Sequence, residues 1–474
     1  MQILFFFFVL IFSGVQNLQA QGVAQNSAQN LEDHEKQLQL YRSQQRWIKA
    51  SEELKIILDK SSPEEVDRRS EEAAEAFFKA RNYREAAKYY QPLSEKVENQ
   101  NNSKILDKLV SAYARSSQFD LALKNLVLLQ SLTDQPSPNL DYKKIFLLYD
   151  ASRCKEVIPE TDIFVKSYPK SPKTDDALWL KVVCEKNLGQ ISEALEDLQN
   201  FKKKYPESNA RVLFWESRWN DLIHETKKAN NAHKELLQME NNFYNLWDMR
   251  RKNLDANACL MTASPFSKKS PSAKQKKNKK LTADTQPRVL SFQEMEQVLK
   301  EQETEIQKLK PASFNEWVEA LARIRKIPPA LIYAILYEES HFNPKATSPA
   351  GALGLMQMIP ETGFEIAEAL DLSTFDFNDL LDPWLNSKFG ITYLSMLMER
   401  FSGNLVYTIA AYNAGPEAVE RWIGLRKSKN CEEWMDQIPY KETYNYVQKV
   451  LKSLWRFENE KPSLLPGFTQ PSKT

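Results

Sequence analysis

Residues 331–344 have the sequence LIYAILYEESHFNP, a strongly apolar stretch that ends in two adjacent acids. The run from Leu331 to Leu336 follows Pro328 and Pro329 and predicts a helix, because proline suits the first turn of a helix. A helix that is apolar on every side is expected to be buried. The break at Asn343-Pro344 ends this helix and places both acids near its last turn.

The position of these acids at the end of an apolar helix is expected to change their pKa. A carboxyl group at the edge of an apolar helix is partly removed from water, which raises its pKa and keeps a proton available near neutral pH. Cleavage of a glycosidic bond needs such a proton donor. Glu338 and Glu339 point about 100° apart on a helix, so one can face a cleft and the other solvent. Position alone does not choose between them, and a solvated helix end is the alternative for either acid.

Two turn motifs follow and favour a site over a solvated helix end. Residues 348–360 have the sequence SPAGALGLMQMIP, and residues 411–416 have the sequence AYNAGP. Glycine lets the backbone approach a ligand closely. A side-chain amide among apolar neighbours can both donate and accept, which suits sugar hydroxyl and acetamido groups. The order and spacing of the three motifs indicate a sugar-cleaving site.

The segment from about Trp317 to Trp455 resembles the catalytic domain of the soluble lytic transglycosylases, a lysozyme-like family. The blocks that carry the resemblance are Glu339-Ser340 with Asn343-Pro344, Ser348 to Ala352, Gly354 to Gln357 with Pro360, Asp382-Pro383 with Asn386, Gly390 and Tyr393-Leu394, Ala411 to Pro416, and Ile438-Pro439 with Glu442-Thr443 and Tyr446-Val447. We therefore expect a mostly helical, lysozyme-like catalytic domain over residues 291–470.

The resemblance implies the roles of individual residues. The catalytic acid of the family precedes the serine of its motif, which selects Glu339, whereas the family usually has Gln where this chain has Glu338. The residues expected to line the glycan cleft are Ser348, Gln357, Tyr412, Asn413, Glu442 and Tyr446. No metal and no cofactor is implied.

The resemblance also implies a reaction on peptidoglycan glycan strands. Glu339 would protonate the oxygen between N-acetylmuramic acid and N-acetylglucosamine and then accept the proton of the C6 hydroxyl, which attacks the anomeric carbon. The product is a 1,6-anhydro sugar, and no water is consumed. Two alternatives stay open: a lysozyme-type muramidase that uses water, and a non-catalytic helical scaffold at the cell wall.

Residues 35–252 form a series of predicted helices with a repeat. Tyr83 and Phe119 are 36 residues apart, and Phe119 and Ile191 are separated by twice that distance. Small and aromatic residues recurring at this spacing are typical of stacked helix pairs. The region resembles degenerate tetratricopeptide-like repeats, so the expected fold is mainly α, an α-solenoid followed by the catalytic domain. The match is weakest between Phe119 and Ile191. The repeats either bind a protein partner or only support the next domain.

Residues 253–290 separate the two regions and are expected to be a flexible linker. Seven lysines lie between Lys268 and Lys280, and residues 262–283 carry no acid. Such a composition cannot build a core. The lysines could attract an anionic cell-wall polymer or a membrane, but a solvated spacer is the favoured interpretation. A linker of this kind also predicts that the repeats are loosely attached to the catalytic domain.

The N-terminal residues predict where the protein is located in the cell, and the net charge bears on its partners. An apolar run from Ile3 to Phe12, followed by Ala20, predicts a secretory signal peptide at residues 1–20 and export to the periplasm. An uncleaved anchor is the alternative, but the run is short for a membrane span, so we expect no stable span after cleavage. The formal net charge is +1, with 64 basic and 63 acidic side chains, and gives no reason to expect a nucleic-acid partner.

The four cysteines fit no zinc pattern, and the chain has only 4 histidines. In an oxidising compartment Cys154 and Cys184 could form a disulfide. Buried thiols are the other interpretation and are slightly favoured.

Overall fold

The computed structural model describes residues 30–96, 103–133, 135–240, 242–250, 292–426, 428 and 430–460. The predicted signal peptide at 1–20 and the Lys-rich segment at 253–290 lie outside the described residues. The regular structure of the described residues is helical, apart from isolated bridges that pair Leu353 with Thr347 and Met358. The prediction of a mainly α fold is confirmed. No helix in these ranges is long and apolar enough to span a membrane.

The chain divides into two compact units, residues 1–132 and 133–474. The helices of the first unit are α1 (30–43), α2 (Trp47–Asp59), α3 (Pro63–Arg68), α4 (Ser70–Lys79), α5 (Tyr83–Glu95), α6 (Ser103–Arg115) and α7 (Phe119–Ser131). Small residues such as Ala73 and Ala86 are fully buried and let α4 and α5 pack closely.

The second unit begins with another run of paired helices. They are α8 (Pro138–Asp150), α9 (Cys154–Ser167), α10 (Thr174–Asn187), α11 (Ile191–Lys204), α12 (Asn209–Leu222), α13 (Thr226–Leu237) and α14 (Phe243–Arg250). Each helix of this run packs on the one that precedes it in the chain, from α9 to α14. We call these seven helices the helical array of the second unit.

A left-handed turn residue recurs along both units and marks the repeat. The residues with positive φ at these turns are Gln45, Arg81, Ser117, Ser152, Gly189 and His224, spaced 35 to 37 residues apart. Each turn joins the two helices of a pair. The turn at Ser152 lies between α8 and α9, so the repeat continues through the stretch where the sequence match is weakest, and Pro159 is accommodated inside α9.

Cys154 and Cys184 form a disulfide that joins α9 to α10. The interpretation of these two residues as buried thiols is therefore wrong. Both side chains lie in the core of the array, with Cys184 fully buried. The pairing follows from the repeat, because stacking the second helix of one pair on the first helix of the next brings the two residues together.

The remainder of the second unit carries the acidic motif. Its helices are α15 (Phe292–Ile306), α16 (Phe314–Ile324), α17 (Pro329–Ser340), α18 (Pro360–Ala369), α19 (Pro383–Arg400), α20 (Leu405–Ala414), α21 (Pro416–Leu425), α22 (Cys431–Asp436) and α23 (Lys441–Phe457). As predicted, α17 begins with Pro329 and is buried from Leu331 to Leu336. It packs against α16 and α23, and α20 also contacts α23.

The helical array of the second unit contacts residues 421–458 through ionic and aromatic side chains. Arg426 donates to Asp150, Trp247 donates to Glu432, and Lys186 pairs with Glu433 at 2.9 Å. Asp150, Arg426 and Glu432 are all buried. Buried charges need their partners in place. The expectation of a loose attachment is therefore wrong for this part of the array.

Candidate active site

The two acids lie at the end of α17, which is fixed to the following loop. His341 ends the helix in the left-handed conformation, with φ of 51°. The buried hydroxyl of Ser340 donates to the carbonyl of Leu336 in its own helix and to that of Leu355 in the loop, the latter at 2.8 Å. The helix end and the loop therefore keep a fixed relative position.

Helix α23 supplies a hydroxyl to each acid. Tyr446 donates to Oε1 of Glu339 at 2.5 Å, and Ser453 donates to Oε1 of Glu338 at 2.5 Å. Tyr446 and Ser453 are two turns apart on one face of α23. The expectation that one acid faces a cleft and the other solvent is only partly met, since both acids are half-buried and both have partners on α23.

The environment of Glu339 changes its acidity. Burial raises its pKa from 4.5 to about 7, the hydrogen bond from Tyr446 lowers it, and the neighbouring charge of Glu338 raises it again. Burial and the nearby Glu339 also raise the pKa of the Tyr446 hydroxyl well above its usual range, so this hydroxyl remains a donor. Glu339 is thus an acid that can hold or release a proton near neutral pH.

The loop before α18 depends on one glycine and one amide. Gly354 has φ of +76°, and a Cβ there would lie 2.2 Å from Nδ2 of Asn386. That amide donates to the carbonyls of Leu353 and Leu380 and accepts from the backbone of Met356 at 2.8 Å. Because Asn386 is fully buried, its three bonds fix the path of the loop past α17.

The amide of Gln357 and the hydroxyl of Ser348 are both part of the loop's own hydrogen bonding. Nε2 of Gln357 donates to the carbonyls of Ala346 and Gly354, and its backbone φ is 48°. Oγ of Ser348 accepts from the backbone of Ala352 at 3.0 Å. Both residues are half-buried, so they can shape the cleft wall as well as meet a ligand.

Tyr412 and Asn413 extend the site from the end of α20. The hydroxyl of Tyr412 donates to the carbonyl of Met356 at 2.8 Å. Because the carbonyl of the preceding residue, Leu355, accepts from Ser340, Tyr412 lies beside the end of α17. Burial and the charge of Glu339 raise the pKa of the Tyr412 hydroxyl well above its usual range. Oδ1 of Asn413 accepts from Thr443 at 2.7 Å, so α20 is joined to α23.

Glu442 lies at the start of α23 and is exposed. It is one turn before Tyr446 and therefore on the same face of the helix. The structure thus brings Glu339, Tyr446 and Tyr412 together, with Asn413, Gln357 and Ser348 on the surrounding turns and Glu442 at the exposed edge. Within the described ranges, no group of three or more His, Cys, Asp or Glu side chains is placed to hold a metal ion.

Two segments of the chain are similar to known protein families. Residues 316–435 match the transglycosylase SLT domain. Residues 176–208 match a tetratricopeptide repeat. Both resemblances found in the sequence are confirmed. The match to the SLT domain spans α16 to α22, and α23 with Tyr446 follows directly after it.

Curated relatives and a solved structure are similar to the chain over different lengths. The soluble lytic murein transglycosylase of Escherichia coli (strain K12) is 34% identical over 160 residues, 33% of this chain and 25% of that protein. The membrane-bound lytic murein transglycosylase D of the same strain is 30% identical over 145 residues, 30% of this chain and 31% of that protein. The chain therefore matches about a quarter to a third of the length of these relatives. A crystal structure of an inactive mutant of lytic transglycosylase Slt from Pseudomonas aeruginosa is 19% identical, with a TM-score of 0.49, over 90% of this chain and 79% of that one.

Three further residues, which the sequence analysis assigns no role, take part in the site. Asn386 lies within the segment that matches the SLT domain, and Thr443 and Ser453 follow it on α23. Ser453 binds Glu338, Thr443 binds Asn413, and Asn386 holds the loop around Gly354. Thr443 and Asn386 belong to blocks that resemble the family, which was the signal available for them. Ser453 carries no such signal, because its role depends on Glu338, which departs from the family pattern.

Proposed function

We propose that this protein is a peptidoglycan lytic transglycosylase with Glu339 as its single general acid and base. The observation that carries the proposal is the position of Glu339: it ends a buried helix, accepts from Tyr446, and has a pKa raised to about 7. The match of residues 316–435 to the transglycosylase SLT domain supports the same activity.

In this mechanism Glu339 first acts as an acid. Its proton goes to the oxygen that links N-acetylmuramic acid to N-acetylglucosamine, and the glycosidic bond breaks with charge building up on the anomeric carbon. The substrate's acetamido group or an oxocarbenium-like state carries that charge. The raised pKa matters here, because an acid with an ordinary pKa would already be ionised at neutral pH.

Glu339 then acts as a base. It accepts the proton of the C6 hydroxyl of the muramic acid residue while the oxygen attacks the anomeric carbon of the same sugar. The products are a free N-acetylglucosamine end and a 1,6-anhydro-muramic end, and the carboxyl group is again protonated. Attack within one sugar gains from proximity, since no second molecule has to be positioned.

The other candidate residues receive roles around this reaction. Tyr446 orients the carboxyl group of Glu339, and Tyr412 holds the loop next to the acid through its hydrogen bond to the carbonyl of Met356. Gln357, Ser348, Asn413 and Glu442 would contact the glycan strand from the turns and the exposed edge of α23. The amides of Gln357 and Asn413 and the hydroxyl of Ser348 can both donate to and accept from sugar hydroxyls, and the carboxylate of Glu442 can accept from them.

The proposed function includes a location in the cell and a division of the chain into domains. We place the protein in the periplasm after export through residues 1–20, with peptidoglycan glycan strands as its substrate. The catalytic domain occupies residues 291–470, the helical repeats residues 35–252 and the Lys-rich linker residues 253–290. The repeats can in addition bind a protein partner.

The proposal is tested with Glu339→Gln in the full chain. The amide keeps the size of the side chain but cannot donate a proton to the bridging oxygen, so we expect loss of peptidoglycan lysis with an unchanged fold. Glu399→Gln, an exposed acid on α19, is the matched control and is expected to lyse normally. Normal lysis by Glu339→Gln would refute the assignment and favour another acid.

A further inference from the structure

Helix α23 contacts two different parts of the protein with opposite faces. Tyr446 and Ser453 lie on the face that meets the acids of α17. Tyr444 and Gln448 are about 200° away from Tyr446 on the helical wheel and therefore lie on the other face. That second face meets the helical array of the second unit, where Tyr444 and Gln448 both contact the hydroxyl of Tyr244 on α14.

A buried carboxylate organises the contact between the array and α23. Asp436, which is 5% exposed, accepts from Nε1 of Trp215 at 2.6 Å, from Nε of Arg211 at 2.8 Å and from the hydroxyl of Tyr244 at 2.8 Å. The hydroxyls of Tyr244 and Tyr444 are 2.5 Å apart. Since the proton of Tyr244 is given to Asp436, Tyr444 must be the donor in the second bond.

The aromatic ring of Tyr444 also contacts the positive charge of Arg211. The guanidinium carbon of Arg211 lies 4.4 Å from the centre of the Tyr444 ring and 3.4 Å from that of Trp179. Arg211 thus pairs with Asp436 and stacks on Tyr444 at the same time. Directional bonds to buried charges allow little sliding, so this cluster fixes the position of the first turns of α23.

We propose that Tyr244 and Arg211, which belong to the helical array, are positioning residues for Glu339 and act through Tyr444 and α23. The inference rests on the proposed function of Glu339 and deepens it. Both residues lie far before residues 316–435, the segment that matches the SLT domain. The array is thereby part of the active-site architecture, because it holds the helix that carries the hydroxyl partner of the acid.

Tyr444 is close enough to Glu339 for a change in its position to affect catalysis. Tyr446 is two residues after Tyr444 in the same rigid helix, so a shift of Tyr444 moves the Tyr446 hydroxyl by a similar amount. A hydrogen bond weakens steeply with distance and angle. The groups that face Glu339 from the elements around it are Glu338, Tyr412 and Tyr446, and only Tyr446 is displaced in this way.

The test compares two tyrosine variants of the full chain. Tyr244→Phe removes the hydroxyl between Asp436 and Tyr444. Tyr168→Phe is the matched control, because its hydroxyl donates to Asp141 at 2.6 Å within the same array and contacts no residue of α23 by hydrogen bonding. The readouts are kcat and KM on purified peptidoglycan, the pH profile of kcat, the thermal midpoint, and hydrogen exchange in residues 441–457.

For Tyr244→Phe we expect kcat to fall roughly 10-fold with little change in KM, as misplacement of a catalytic group does. The alkaline limb of the pH profile should move to higher pH, because Tyr446 binds Glu339 less well, and exchange in residues 441–457 should be faster. Tyr168→Phe should change none of these. Tyr444→Phe, which keeps the ring on Arg211, should reproduce the effect if Tyr244→Phe does not fold.

The inference is overturned if Tyr244→Phe and Tyr444→Phe keep the wild-type kcat, pH profile and exchange, whatever their thermal midpoints. Failure of the proposed function would look different. In that case the wild-type protein would not cleave peptidoglycan, and exchange in residues 441–457 would still decide whether the array holds α23.

Discussion

Tyr446 donates a hydrogen bond of 2.5 Å to Glu339, although the two residues are 107 positions apart in the chain. The bond joins the last turn of α17 to the second turn of α23. It gives the acid a fixed orientation and at the same time lowers its pKa, against the effect of burial. Burial outweighs the hydrogen bond, and the pKa of Glu339 is raised to about 7.

Tyr446→Phe removes the hydroxyl and leaves the ring. Because the lost bond stabilised the ionised carboxylate, the pKa of Glu339 should rise and the alkaline limb of the kcat profile should move to higher pH. At the optimum, kcat should still fall by roughly 10-fold, since the acid is no longer oriented. Tyr407→Phe on α20 serves as the control. A limb that stays in place would contradict the role of this bond.

Glu338→Gln should have the opposite effect on the profile. The charge of Glu338 raises the pKa of Glu339, so removing it should move the alkaline limb to lower pH, with activity retained below the limb. The amide oxygen can still accept from Ser453, which leaves the local structure in place. Steady-state rates over a pH series measure the shift. If Glu338→Gln instead abolished cleavage at every pH, Glu338 would be a second catalytic carboxylate, as a retaining hydrolase requires.

Glu339→Gln should stabilise the folded protein at alkaline pH. The folded-state pKa of Glu339, about 7, lies above the ordinary value of 4.5. Its protonated form therefore contributes stability that is fully present below the unfolded-state value and is lost as the pH rises through the folded-state value. Thermal midpoints should be similar at pH 4. At pH 8 the variant should have the higher midpoint, with a free energy of unfolding larger by about 3 kcal/mol, because each pKa unit corresponds to about 1.4 kcal/mol. Equal midpoints at both pH values would show that burial does not penalise the charge.

Gly354→Ala should disrupt the loop next to the acid. The added Cβ would lie 2.2 Å from Nδ2 of Asn386 and 2.4 Å from the carbonyl oxygen of Leu380, at a φ of +76°. Backbone cannot move away as a flexible side chain can, so we expect a loss of at least about 3 kcal/mol in stability and loss of lysis. Gly424→Ala is the control: it has no atom within 4 Å and should be close to neutral. Thermal unfolding and lysis assays separate the two.

The parts of the site that could be predicted from the sequence are those with a local signal. The apolar run before Glu338 and Glu339 predicts a buried helix with acids at its end, and the structure has that helix as α17. The glycine-rich turn around Gly354 likewise predicts that the backbone passes close to another part of the protein or to a ligand. The choice of Glu339 over Glu338 needed the family resemblance, because both acids are half-buried.

The repeats were harder to predict because their turn signal is degenerate. A left-handed turn residue is usually glycine, but of the six turns that mark the repeat only the one at Gly189 follows that rule. Ser152 and His224 hold the same conformation without the signal. For the same reason the sequence did not decide between a disulfide and buried thiols at Cys154 and Cys184, because the repeat match is weakest around Ser152 and the pairing of α9 with α10 could not be placed.

The contact between the array and α23 could not be predicted at all. It depends on Tyr244 and on Asp436 and Tyr444, which lie 192 and 200 positions after it, and none of the three belongs to a motif. Their association is a property of the packed structure, and the Lys-rich segment between the two regions indicated a loose attachment instead. Polar contacts between distant segments leave no periodic pattern for sequence analysis to detect.

The most direct test of the central claim is mass spectrometry of the fragments that the purified full chain releases from peptidoglycan, with Glu339→Gln in parallel. The account predicts muramic acid ends one water molecule lighter than the hydrolysis product, in the 1,6-anhydro form, and no such fragments from the variant. Reducing muramic acid ends from the wild-type protein would contradict it and identify a hydrolase.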